Sequence, residues 1–137
     1  MTPEEQSILR TYRLEQADTA LKDARLLVAH SGSALGIINR AYYAMFYATL
    51  ALLQDRSSLP SKHSGVITLF DVEFVKTGLF SKHLSKSLHR AFDFRQESDY
   101  KATTMIDMPL AQEILTDAED FVETVRIYLF PPLQQPS

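Results

Sequence analysis

Cysteine is absent from this 137-residue chain, which removes disulfides, thiolate metal sites and thiol nucleophiles together and suits a reducing cytosol. Glycine is sparse, at four residues. Neither a GxxxxGKS/T nor a GxGxxG run occurs, so no glycine-rich loop is available to cradle a nucleotide phosphate. No Glu-x-x-His spacing occurs either, which takes away the carboxylate and imidazole set of a di-metal bundle. No metal and no cofactor are expected. The opening MTPEEQ is acidic and polar where a secretory leader needs a basic start and an apolar run. The most apolar stretch, Ile37 to Leu53, carries Arg40 and has polar flanks, too short and too interrupted to span a bilayer. A soluble, cytoplasmic protein is expected.

What is present is ordinary for a globular domain, with 45% hydrophobic and 23% charged residues. The length suits one core, so we expect a single domain over 1–130 and a disordered tail over 131–137. A net charge of −3 argues against a general nucleic-acid binder, but the charge is unevenly spread. Residues 56–95 hold seven Lys/Arg against three Asp/Glu, and residues 96–137 hold two against eight. Such blocks can serve two different surfaces or be solvated helix faces.

Hydrophobic periodicity predicts an all-α antiparallel, up-down bundle of four main helices plus a shorter one, near 3–30, 34–55, 62–76, 82–99 and 108–129. Thr2, Pro3 and Glu5 read as a capped helix start. Leu9, Ala17, Ala20, Ala24, Leu27 and Val28 give the first helix its apolar face, and Gly32 is placed to take the left-handed conformation that closes it. Ser81 reads as the cap of the fourth helix and Asp107 as that of the fifth, with Pro109 in its first turn. Leu110, Ile114, Ala118, Phe121, Val125 and Tyr128 form the apolar face of the last helix.

The stretch Ile37 to Leu53 is apolar over most of its circumference, the signature of a buried helix. One strip interrupts it: Gly36, Asn39, Arg40, Tyr43 and Tyr47 fall within about 100° of one another. Buried polar groups need partners. A neighbouring helix or second subunit can supply them, or the strip can line a pocket for an anion. The fourth helix breaks its pattern similarly. Arg95 and Asp99 fall at the angle of the apolar Leu88, and at a spacing of four they can pair with each other.

INRAYYAMFYATLALL, SKHSGVITLF with EFVKTGLFSKHL, and RAFDFRQESDY, in that order, resemble the HEPN family, especially its small stand-alone prokaryotic members. The resemblance covers residues 10–130. It implies a helical bundle that commonly forms a homodimer and is often paired with a minimal nucleotidyltransferase in a toxin-antitoxin-like system. It also implies, for many members, a metal-independent ribonuclease whose motif is an Arg followed after four to six residues by a His. Imidazole would move the 2′-hydroxyl proton while guanidinium holds the phosphate. Arg95 stands at the position of the motif Arg, but the following window, Gln96 to Ala102, contains no His, and Tyr100 occupies the fifth place after Arg95.

A phenol with an ordinary pKa near 10 is a poor base at neutral pH. Arg25 with His30 and Arg56 with His63 match the bare spacing outside the family context. His63 also lies in the polar start of a helix, Ser61 to Gly65, where it can hold a phosphate or simply cap and pack. Two readings therefore stand. The first is a homodimeric nucleotide- or RNA-binding module, using Asn39, Arg40, Tyr43, His63, Arg95 and Asp99. The second is a ribonuclease toxin using Arg95 with Tyr100 or His63. The missing His favours the first.

Overall fold

The computed structural model describes residues 1–56, 58–96 and 105–133. Among the described residues five helices follow one another: α1 (Pro3–Ala29), α2 (Ala34–Leu52), α3 (His63–Phe70, continued as a π turn over Asp71–Val75), α4 (Lys82–Gln96) and α5 (Met108–Leu129). No strand occurs among the described residues. The expected caps are in place. Thr2 Oγ1 accepts the Glu5 amide at 3.1 Å, and Asp107 Oδ1 accepts the Leu110 amide at 2.9 Å. Ser81 Oγ takes the Leu84 amide at a longer 3.4 Å.

The first helix ends differently from expectation. Ser31, not Gly32, holds the left-handed conformation, with φ of 58°, and the Gly32 amide reaches back to the Leu27 carbonyl at 2.6 Å. Glycine is needed here for space. A Cβ on Gly32 would lie 2.9 Å from Leu27 Cβ and 3.1 Å from Leu27 Cα, atoms that cannot swing aside. The turn folds α2 back along α1, and three buried alanines of α1, Ala17, Ala20 and Ala24, let the two helices approach closely. Leu14, absent from the predicted face, joins that core in place of the half-buried Leu9.

Helix α2 contacts all four other helices, and Ile37, Ile38, Ala41, Tyr42, Ala44, Met45 and Ala48 are fully buried. It stops three residues short of the expected Asp55, with Leu53 as its cap. In α5, Ile114, Ala118, Phe121 and Val125 are buried as expected, but Tyr128 is 45% exposed and closes edge-on over Phe74 and Phe80 instead. The π turn is clasped to α4 through Asp71, whose carboxylate accepts from Ser85 Oγ at 2.6 Å and meets His89 Nε2 at 2.6 Å.

The basic and acidic blocks of the sequence touch where α4 packs on α5. Arg90 of α4 reaches Glu113 at 3.1 Å and Asp117 at 3.0 Å on α5, so opposite charges far apart in sequence meet in one interhelical seam. Arg25 with Glu119, and Arg126 with Asp18, tie α1 to α5 in antiparallel order. No helix among the described residues is long and apolar enough to cross a membrane.

Candidate functional site

The polar strip of α2 is the side that the bundle leaves partly open. Between Gly36 and Leu50, the residues short of full burial are Gly36, Asn39, Arg40, Tyr43, Tyr47 and Leu50. Helix α4 brings Arg95 to this strip. Its apolar residues Leu84, Leu88 and Ala91 are buried against the core, and the helical repeat then turns Arg95 inward on the same side. Arg95 Nη2 donates to the Tyr43 hydroxyl at 2.7 Å. Its guanidinium carbon lies 5.0 Å from the centre of the Tyr43 ring and 5.3 Å from that of Tyr42, within range of a cation–π attraction.

Helix α3 adds His63 at its first turn. Pro60 lies against Gly65, where a Cβ would come 2.6 Å from Pro60 Cβ, so the loop and the helix start are drawn together. The His63 ring stacks on Phe46 with centroids 4.0 Å apart, and its Nδ1 is 2.9 Å from the Tyr42 hydroxyl. The pKa of His63 is lowered, first by burial and then by the positive charge of Arg95. That of Tyr42 is raised, chiefly by burial, against a smaller opposing pull from Arg95. At neutral pH the imidazole and the phenol are therefore both uncharged, and the guanidinium carries the charge of the cluster.

Arg40 approaches the same Tyr43 ring, its guanidinium carbon 5.0 Å from the centroid. Its hydrogen bond to Asn39 Oδ1 is long, at 3.4 Å, and among the described residues it forms no ion pair. Arg40 also lines a groove of about 310 Å³ between α1 and α2, together with Tyr12, Glu15, Asp23 and Tyr47. Of the residues expected at a site, the structure thus gathers Arg95, Tyr43, His63 and Arg40, with Asn39 beside Arg40. Asp99 and Tyr100 lie outside the described residues.

The two alternative Arg/His spacings come apart in three dimensions. Arg25 is engaged with Glu119, and Arg56 is held by Asp55 and Glu73 while His63 turns to Tyr42. Tyr42 is the residue that sequence reasoning missed. It read as one more apolar position, although a phenol on a fully buried face needs a partner for its hydroxyl. Among the described residues no group of three or more His, Asp or Glu side chains could hold a metal ion.

The HEPN domain family matches residues 11–128, a span that contains every element of this cluster. The chain belongs to the HEPN domain family. Among its relatives, a UPF0332 protein of Thermotoga maritima is 35% identical over 89% of this chain and 91% of its own length. A UPF0332 protein of Archaeoglobus fulgidus is 36% identical over 83% and 90%. A Methanocaldococcus jannaschii protein named "Putative toxin MJ0142" is 37% identical over 67% of this chain and 63% of its own length, so the HEPN chain described here spans less than two thirds of that relative.

Proposed function

We propose that this HEPN protein is a nucleotide- or RNA-binding module in which Arg95, Arg40, Tyr43 and His63 receive a phosphate group. The observation that carries the reading is the Arg95 to Tyr43 hydrogen bond, which fixes a half-buried guanidinium over two phenol rings beside an uncharged imidazole. A second guanidinium, that of Arg40, stands the same 5.0 Å from Tyr43. An oxyanion bound beside this ring could accept charge-assisted hydrogen bonds from a guanidinium. The open strip of α2 would complete its cover in a symmetric homodimer. A minimal nucleotidyltransferase is the partner that the family resemblance suggests, and relatives named as toxins are compatible with such a pair.

Fluorescence anisotropy with a labelled single-stranded RNA and with a labelled adenine nucleotide tests the reading. Arg95→Ala and Arg40→Ala should each weaken binding by about tenfold or more, the loss of one charge-assisted phosphate contact. Unchanged binding in both would reject the site. Sedimentation of the wild type at micromolar concentration should show a dimer, and a folded monomer would remove that part of the proposal.

A second reading, a metal-independent ribonuclease, is favoured by one observation: folding brings His63 into the Arg95 cluster although it lies far from Arg95 in sequence. It requires RNA cleavage in the presence of a chelator, lost in both Arg95→Ala and His63→Ala.

A further inference from the structure

We infer that Tyr42 is a positioning residue whose hydroxyl donates a hydrogen bond to His63 Nδ1, so that His63 presents Nε2–H to the site as a neutral donor for an oxyanion. The inference rests on the anion-site reading for its ligand and on geometry for its direction.

Tyr42 has no solvent exposure, and its hydroxyl has one hydrogen-bond partner among the described residues, His63 Nδ1 at 2.9 Å. A buried O–H left without an acceptor is costly. Imidazole Nδ1 is the acceptor within reach, and it can accept only while it carries no proton. The proton of the neutral ring is then on Nε2. The ring cannot exchange its two nitrogens cheaply. Phe46 stacks on it at 4.0 Å with planes 20° apart, and Tyr43 stands edge-on at 86°, so a flipped ring would abandon the Tyr42 bond within the same narrow slot.

The consequence is chemical. Nε2–H can donate to a phosphate oxygen, as the Arg95 guanidinium can. It has no lone pair with which to take a 2′-hydroxyl proton, and the neutral imidazole N–H is a very weak acid. In this tautomer His63 serves recognition of a phosphate and not proton transfer to or from ribose. That separates the two readings of the site on one hydrogen atom.

The test is nitrogen-15 NMR of His63 at a pH where the ring is neutral, in the wild type and in Tyr42→Phe, which keeps the ring and removes only the hydroxyl. The wild type should show Nδ1 unprotonated and Nε2 protonated, and Tyr42→Phe should move the tautomer population toward Nδ1–H, because the hydroxyl that held Nδ1 as an acceptor is gone. A wild-type ring protonated on Nδ1, or a tautomer population unchanged in Tyr42→Phe, overturns the inference. Adding inorganic phosphate to the wild type tests the anion reading separately. Displaced His63 Nε2 and Arg95 signals support that reading, whereas unmoved signals reject it and leave the tautomer assignment standing on the nitrogen-15 spectra.

Discussion

The Arg95 guanidinium donates to the Tyr43 hydroxyl at 2.7 Å across 52 residues of sequence, and this bond joins α4 to the open strip of α2. Tyr43→Phe removes the acceptor while keeping the ring under the cation. We expect a loss of about 1 kcal/mol in folding stability, typical of one partly exposed hydrogen bond. Urea unfolding of the wild type and the variant measures it, and an unchanged midpoint would show that the bond contributes nothing net.

Arg95→Gln tests the electrostatic link to the histidine. The positive charge of Arg95 is the second cause of the lowered His63 pKa, after burial. Removing it should raise the pKa, but not to the ordinary value, because the burial remains. An NMR titration of His63 in the variant reads the change; a fall in the pKa would contradict the arrangement.

The same shift makes stability depend on pH with a definite sign. The folded pKa of His63 lies below its unfolded value, so between the two the unfolded chain binds more protons. The contribution of His63 is complete above the ordinary histidine pKa of about 6.5 and is lost as the pH falls toward the folded value. His63→Gln should therefore lose less stability than the wild type on acidification through that window. Thermal unfolding from pH 7.5 to pH 5 gives the comparison, and parallel curves would count against it.

Gly32→Ala should cost about 1–3 kcal/mol, the range for overpacking a close contact. The added methyl meets Leu27 at 2.6 Å on Cδ2 and 2.9 Å on Cβ. Ser31→Gly, at the residue with φ of 58°, should be neutral or mildly stabilising, because glycine adopts that conformation without strain. Chemical denaturation of the pair separates the two roles. Equal effects would mean that the turn is less tightly packed than its geometry indicates.

Helix positions and their buried faces were legible in the sequence because both are local. A repeat of three to four apolar residues, a Thr or Asp at the right offset and a Pro in a first turn act within a few residues of one another. The inward angle of Arg95 was legible for the same reason, since Leu88 and Ala91 on the same helix set it. The left-handed residue was misplaced by one position, from Ser31 to Gly32, because a glycine near a helix end can mean a special φ or a close approach, and only the position of Leu27 distinguishes them.

The sequence determined an all-α chain with a buried central helix, a polar strip along that helix and a cation directed toward the core. Tertiary structure decided which groups share the site. It brought His63 to Tyr42 and Phe46, placed Arg95 and Arg40 around one Tyr43 ring, and joined the basic face of α4 to the acidic flank of α5. Periodicity records which side of a helix faces inward, but not which residue of another helix it meets there. That depends on the relative rotation and offset of packed helices, which are set by side-chain interlocking over the whole core.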